Sequence, residues 1–404
     1  MSATQCVADL RLAPEGRRKI AWVSGRMPVL NRLRDRFQKD GVFRGTTVAV
    51  SVHLEAKTAY LCLVLRDLGA DVWATGSNPF STKDDVAAAL ADEGIHVFAR
   101  YGVSGEDHRA EVMSLLSVRP EAVLDDGADI CLALHQHPDL GTRVRGISEE
   151  TTTGVARLNE LARRKQLLFP AVTVNDAKSK HLFDNRYGTG QSTWTAITHL
   201  TNMTVAGKTV VVVGYGWVGR GLATVARGMG AHIVVTEIDP WKALEAQMDG
   251  YQVMTLEEAS TRGHIFVTAT GVEGVLRTEH VALMRSGALV ANAGHSDREI
   301  DVSGLQQLAS ATREVRENVF EYTLNNGRKV CLLADGRIVN IAGGFGHPVE
   351  IMDMSFSLQL ASLHYLLYSP GLSPGVYAVP TEIDELVARE KLSAEGIAID
   401  GGAR

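Results

Sequence analysis

Residues Lys208–Gly221 read KTVVVVGYGWVGRG, four consecutive valines followed by glycines in G-x-G-x-x-G spacing and the start of a helical pattern. A strand of unbroken β-branched residues has no polar face for water, so it must be buried on both sides. Gly214 permits the sharp turn, Gly216 lets backbone approach a pyrophosphate, and Gly219 allows the helix to pack closely, with the N-terminus of that helix favouring anionic phosphates. Trp217 and Val218 lie inside the same turn. Glu237 ends the next strand about 20 residues later, where an acid accepts from both ribose hydroxyls of NAD and repels a 2′-phosphate. Such a glycine pattern alone is also met as a plain turn. The strand before it and the acid after it make NAD, rather than NADP, the expected cofactor.

The rest of the chain alternates in the same way. A strand over Thr46–Val52 is followed by a helical stretch over His53–Leu68, then by DVWAT, a helix over Asp84–Glu93, HVFA, AVLDD at Ala122–Asp126 and a helix over Thr153–Arg164. Beyond Thr201 the valine run is followed by HIVVTE, HIFVTA, ALVANA and IVNIA, all expected as strands. Gly190–Leu200 reads as a connecting helix, and Glu350–Tyr368 as a helix returning to the first unit. Strand–helix alternation implies parallel sheets with helices on both faces. The expected class is α/β, with two doubly wound, Rossmann-like parallel-sheet domains. A substrate domain covers 1–186 with a return over 346–380, an NAD-binding domain covers 187–345, and a short C-terminal tail covers 381–404. The 39 glycines against 11 prolines fit tight turns in such a fold.

Charge narrows the partners. Lys plus Arg number 41 against 47 Asp plus Glu, a formal net charge of −6, the opposite of a phosphate-tracking surface, so no nucleic acid is expected. No apolar run approaches the ~20 residues of a spanning helix, so no membrane is expected. The N-terminus carries charges where a secretory signal needs its apolar stretch, which points to the cytoplasm. Cys6, Cys62, Cys131 and Cys331 are scattered without CxxC spacing, so neither disulfides nor a metal site is expected.

Several polar clusters lie just after strands, where α/β sheets bind ligands. They are His53-Leu-Glu55-Ala-Lys57-Thr58, Asp125-Asp126-Gly127, Ser148-Glu-Glu150-Thr151-Thr152-Thr153, Asn175-Asp176 with Lys180, and Phe183-Asp184-Asn185. Each has a plainer alternative. Asp126-Gly127 can be a turn, Ser148 with its two acids a helix N-terminus, Lys180 with Asp184 an i,i+4 surface pair, and His53 a satisfied N-terminal histidine.

Taken together, the segments GSNPFSTKDD, VLDDGADI, GISEETTTGV, VNDAKSKHLFDNRYGTG, VVVGYGWVGRG, VTEIDP, TATG, NAGHSDREID and GRIVNIAGGFGHP resemble S-adenosylhomocysteine hydrolases over nearly the whole chain. HLEAKTA, DNRYGTGQSTW and Thr189, where the eukaryotic type usually has Cys, resemble the short branch of archaea and some thermophilic bacteria. The resemblance implies resident NAD, one per subunit, and a homo-oligomer, a tetramer in the family. It also implies a purine nucleoside substrate. In the family's reaction the ribose 3′-hydroxyl is oxidised, which acidifies the 4′ proton. The 5′ substituent then leaves by β-elimination, water adds, and the hydride returns.

By the same resemblance Lys180 and Asp184 meet the 3′-hydroxyl, with Asn185 ordering Lys180, whose pKa is expected to be lowered. Glu150 holds the ribose hydroxyls, and His53 and Asp126 face the 5′ side. Thr151, Thr152, Thr153, Asn185, Glu237, Thr270, Gly271 and Asn340 line the NAD, while His295 and His347 close over the substrate beside Phe345. For His347 the alternative is that only its backbone touches the base. Hinges are expected near Thr189 and Ile341.

Three departures bear on the substrate. The eukaryotic type has a carboxylate or amide at position 57 to accept from the adenine amino group, but Lys57 can only donate. Either Glu55 takes over, or a 6-oxo purine is the base, as in archaeal S-inosylhomocysteine enzymes, with Thr58 beside it. Ser296 follows His295 where the family has an aromatic gate residue, and Gly343-Gly344-Phe345 replaces side chains of the relatives. The chain also stops short of the tail that reaches a neighbouring subunit's NAD, so weaker cofactor retention is expected. These changes open an alternative, in which elimination stops before water adds and the enzyme is a lyase, a nucleoside dehydratase of antibiotic biosynthesis. An inactive paralogue is the third, disfavoured by the survival of Lys180, Asp184, Asp126 and His53.

Overall fold

The computed structural model describes residues 5–369 and 371–400. The chain divides into two compact units, one holding the residues up to His181 and those from Val349 onward, the other Leu182–Pro348.

In the first unit β1 (Thr47–Ser51), β2 (Asp71–Thr75), β3 (His96–Val97), β4 (Ala122–Asp125), β5 (Gly146–Glu149) and β6 (Pro170–Thr173) join a last strand, Gly375–Ala378, in a seven-stranded parallel sheet. Its order is Gly375–Ala378, β6, β5, β4, β1, β2, β3. Val48, Val50 and Leu124 face a core with Leu61, Leu65, Phe356 and Leu360, whereas Ala49 and Val123 face another with Leu115, Ile130 and Leu134. Both faces are covered, so successive residues are apolar.

In the second unit the parallel strands β7 (Thr209–Val213), β8 (His232–Thr236), β9 (Gln252–Val253), β10 (Ile265–Thr268) and β11 (Ala288–Asn292) are extended by β12 (Ala309–Arg316), β13 (Val319–Leu324) and β14 (Lys329–Leu333). The order is β12, β13, β14, β11, β10, β7, β8, β9, with β13 antiparallel to both of its neighbours. The valine run explains itself here. Val210 and Val212 pack with Trp194, Leu222 and Ala226, while Val211 and Val213 pack with Phe266, Met284 and Leu305 on the opposite face.

Two expectations need correction. IVNIA is not a strand, because Val339–Ala342 forms a helical turn and only Ile338 makes an isolated bridge, to Asn292. Val339 and Ala342, three apart, share the face that packs on the core, and a run this short fits either period. The helix expected from His53 starts at Ala56, because the extended Glu55 caps it by accepting from Lys57 N–H at 3.2 Å. In the stretch expected as a tail, Thr381–Ala394 is a helix with Val387 buried, and Gly401–Arg404 lie outside the described residues. The four cysteines are free thiols, and among the described residues no helix is long and apolar enough to cross a membrane.

Candidate active site

Strand order reverses between β1 and β4 in the first sheet and between β7 and β10 in the second, and open α/β sheets bind ligands beyond the strand ends at such points. His53 lies two residues past β1, Asp126 directly follows β4, and Glu150 directly follows β5. His53 Nδ1 is 2.7 Å from Ser81 Oγ, and its Nε2 is 3.7 Å from Asp126 Oδ2, which accepts from Ser77 Oγ at 3.2 Å. Asp126 is buried, and its Oδ1 has no hydrogen-bond partner among the described residues.

The loop that carries Asp126 turns on Gly127 and Ala128, both left-handed at φ 99° and 61°. It is held by two buried acids. Glu149 accepts from the N–H groups of Gly127, Ala128 and Thr151 at 2.9 Å, so one carboxylate ties this loop to the turn bearing Glu150. Asp125 accepts from the N–H groups of Asp126, Ile130 and Cys131. Burial pushes the Asp125 carboxyl up to about 7, and burial followed by the nearby Asp125 pushes Glu149 well up too. From the sequence Glu149 was read only, with Ser148 and Glu150, as a possible helix N-terminus; its hold on the Asp126 loop was not expected.

Glu150 is buried and approached by Lys180, whose Nζ is 3.8 Å from Oε1. Gln359 Nε2 donates to Glu150 Oε2 at 2.7 Å, and Ser148 Oγ donates to Gln359 Oε1. Gln359 was missed, although a single buried amide in the apolar helix Val349–Tyr368 was the available signal. Lys180 and Asp184 are not a surface pair. Both are buried, they fall in different units, and the segment from His181 to Gly188 is wound as a π-helix.

Thr151 caps the helix Thr152–Arg163 and donates to Glu149, while Thr152 donates to Asn175 Oδ1 at 3.2 Å. With Thr153, these residues belong to the first unit, and the glycine turn belongs to the second. Near His53, Lys57 is buried and ion-paired to Glu55 at 2.7 Å, and Thr58 Oγ1 donates to His53 O at 2.7 Å.

In the second unit Gly214 takes φ 100°, a Cβ at Gly219 would collide with the Gly214 carbonyl, and a Cβ at Gly216 would meet open space. The helix Trp217–Gly228 has no side-chain cap on its leading N–H groups. Trp217 and Val218 are half-buried in its first turn, and Arg220 stacks 4.6 Å over the Trp217 ring. Glu237 Oε2 accepts from Tyr215 N–H, and its Oε1 accepts from the N–H groups of Ile238 and Asp239, so the carboxylate is fixed beside the turn. After β10, Thr270 and Gly271 donate their N–H groups to the buried Glu299, an acid not singled out from the sequence. Asn340 is buried, donates to Ser192 Oγ at 3.0 Å, and leaves Oδ1 without a partner among the described residues. These features fit a dinucleotide, with pyrophosphate at the uncapped helix end, a ribose on Glu237 and an N–H of the dinucleotide donating to that Asn340 Oδ1.

His347 is bracketed by Asp184 Oδ1 at 3.3 Å from Nδ1 and Thr189 Oγ1 at 3.1 Å from Nε2. Asn185 is half-buried, and His295 and Phe345 are exposed. The glycines expected to mark a reshaped pocket have a packing cause. A Cβ at Gly343 would run into Leu200, and one at Gly344 into the Asn340 carbonyl and Ala196, so both face the helix Thr189–Thr201. Ser296 closes a turn, its Oγ accepting from Arg298 N–H and its carbonyl from Asn292. The dehydratase alternative loses its structural motive.

Comparison with known proteins gives the same partition. Residues 4–140 match the family described as S-adenosyl-L-homocysteine hydrolase, and residues 185–346 its NAD binding domain. The chain is 53% identical to the adenosylhomocysteinase of Pyrococcus abyssi over 397 residues, covering 98% of this chain and 94% of the relative. It is 51% identical to the adenosylhomocysteinase of Thermotoga maritima, covering 95% of this chain and 96% of the relative. The S-inosyl-L-homocysteine hydrolase of Methanocaldococcus jannaschii is 49% identical, with 98% and 95% covered. Identity at this level over nearly full length on both sides, with both strand-order reversals inside the matched segments, places the chain in the S-adenosyl-L-homocysteine hydrolase family.

Proposed function

We propose that the protein hydrolyses S-adenosyl-L-homocysteine to adenosine and homocysteine with a resident NAD. The observation that carries this reading is that His53, Asp126, Glu150 and Lys180 stand in one unit, each next to side chains that orient it, in a chain half identical to adenosylhomocysteinases. Bound NAD, held by the glycine turn, Glu237 and Asn340, supplies the hydride acceptor and donor for the ribose 3′ carbon. Lys180 takes the proton of the 3′-hydroxyl. Glu150, oriented by Gln359, accepts from the ribose hydroxyls. His53 and Asp126 exchange the 4′ proton and the leaving-group proton. Asp184 orients the His347 imidazole; on the resemblance alone, Asn185 stays assigned to the Lys180 amine and the NAD, and His295 and Phe345 to the substrate. The test is release of a free thiol from S-adenosylhomocysteine by the NAD-loaded protein; no thiol at saturating NAD overturns the reading.

A second reading is favoured by one observation, the buried Lys57 held on Glu55. A donor-only side chain suits the 6-oxygen of hypoxanthine better than the 6-amino group of adenine, so S-inosylhomocysteine is the alternative substrate. Thiol release from the two substrates, measured side by side, separates them.

A further inference from the structure

The motif GSNPFSTKDD follows β2 and is not accounted for by nucleoside or dinucleotide binding. Its Ser81 is buried in the turn Pro79–Ser81, which Asn78 caps by accepting from Phe80 N–H. Ser81 Oγ makes two contacts, each of 2.7 Å, one to the carbonyl oxygen of Asn78 and one to His53 Nδ1. Contacts this short each need a proton between the heavy atoms. A hydroxyl brings one proton, and a carbonyl oxygen brings none. The hydroxyl proton therefore goes to Asn78, and the proton in the other contact must sit on His53 Nδ1.

We propose that Ser81 is a positioning residue that holds His53 in its Nδ1–H form, so that Nε2, facing Asp126, is the nitrogen that gains and loses the proton. The consequence for catalysis rests on the function proposed above, whereas the tautomer does not. With Nδ1 committed, neutral His53 presents a lone pair on Nε2 toward Asp126 Oδ2 at 3.7 Å. A proton arriving at Nε2 gives an imidazolium whose two N–H groups are met by Ser81 and by the Asp126 carboxylate. Ser77, donating to the same Asp126 oxygen at 3.2 Å, also holds the carboxylate. A ring nitrogen is set by the bond that the other nitrogen makes, and here that bond comes from a serine anchored to a backbone carbonyl. His53 is then delivered in one protonation pattern without needing a carboxylate at Nδ1.

The experiment is nitrogen-15 NMR of the imidazoles in the NAD-loaded full chain, with His53 assigned by its loss in His53→Asn. At a pH where His53 is neutral, the parent protein is expected to show Nδ1 protonated and Nε2 bare. In Ser81→Ala the Nδ1–H loses its acceptor, so the Nε2–H form should rise, and thiol release should fall by about 10- to 100-fold, as for other orienting partners of histidine. Reduction of bound NAD by added nucleoside should stay at the parental rate, which general loss of structure would not allow. Nε2–H in the parent overturns the proposal, as does a Ser81→Ala protein that keeps the Nδ1–H form, whatever its turnover. If Ser81→Ala does not fold, the parent spectrum decides alone. Failure of thiol release in the parent would instead count against the substrate, leaving the tautomer result standing.

Discussion

Lys180 Nζ ends 3.8 Å from Glu150 Oε1, with both side chains buried. At that separation the amine is near enough to feel the carboxylate, while the carboxylate itself accepts from Gln359 Nε2 at 2.7 Å. A base that takes the hydroxyl proton must lie within hydrogen-bond reach of it in the substrate complex. Lys180→Ala is expected to slow reduction of bound NAD on nucleoside addition by at least about 100-fold, the low end of what a positioned base contributes. Nicotinamide absorbance after mixing checks this. Reduction at the parental rate would remove Lys180 from the oxidation.

Asp126 stands on the other side of the chemistry. Its carboxylate meets His53 and Ser77, not Lys180, in the contacts that orient it. Asp126→Asn keeps the shape but cannot balance an imidazolium. We expect NAD reduction to persist while thiol release falls by about 100- to 10,000-fold. Equal loss of both steps would show that the two are not separable in this way.

The glycines of the NAD turn divide by cause. A Cβ at Gly219 meets the Gly214 carbonyl, whereas a Cβ at Gly216 has no atom of the described residues within 4 Å. Gly219→Ala should therefore destabilise the NAD-free protein by about 1–3 kcal/mol through overpacking, seen as a lower melting temperature. Gly216→Ala should melt like the parent without NAD, yet bind NAD more weakly, because its methyl occupies space needed for the approach of pyrophosphate. Calorimetric titration with NAD and melting curves without it distinguish the two.

What could be read from the sequence follows from how local each cause is. Val210 to Val213 and the glycine turn were legible because double burial and a left-handed turn act within a few residues. Most of the polar clusters after strands were legible for the same reason. Glu299 and the long-range part of Glu149's work were not, since they accept N–H groups from loops 21 to 29 residues away. β12 escaped notice because ASATREVR is an exposed edge strand with no apolar face to show. Gly343 and Gly344 looked like altered substrate contacts because composition gives no sign of the helix packed against them. Both the serine behind His53 and the amide behind Glu150 are brought in by distant segments, 28 and 209 residues away.

Burial of Asp125 gives a dependence of stability on pH. Its carboxyl, about 3.9 when unfolded, is pushed up to about 7 by burial. Between those values the folded state binds a proton that the unfolded state has released, so stability present below about pH 4 is lost as pH rises through about 7. Asp125→Asn has no proton to lose and should show a flatter melting temperature across that window than the parent. Parallel curves for the two proteins would mean that Asp125 is already ionised in the fold at low pH.

The base preference turns on Lys57. Its ammonium is buried and held at 2.7 Å by Glu55, at the start of the helix Ala56–Asp67 and four residues past His53. As it stands it offers N–H groups only, which suits a 6-oxo purine, and it draws on Oε2 of the carboxylate that could have accepted from a 6-amino group. Lys57→Gln supplies an acceptor and releases Glu55. The ratio of kcat/KM for S-adenosylhomocysteine over S-inosylhomocysteine should then rise by about 10-fold, the worth of one hydrogen bond of about 1.4 kcal/mol. Thiol release from both substrates by parent and variant measures it. An unchanged ratio would mean that neither side chain reads the base.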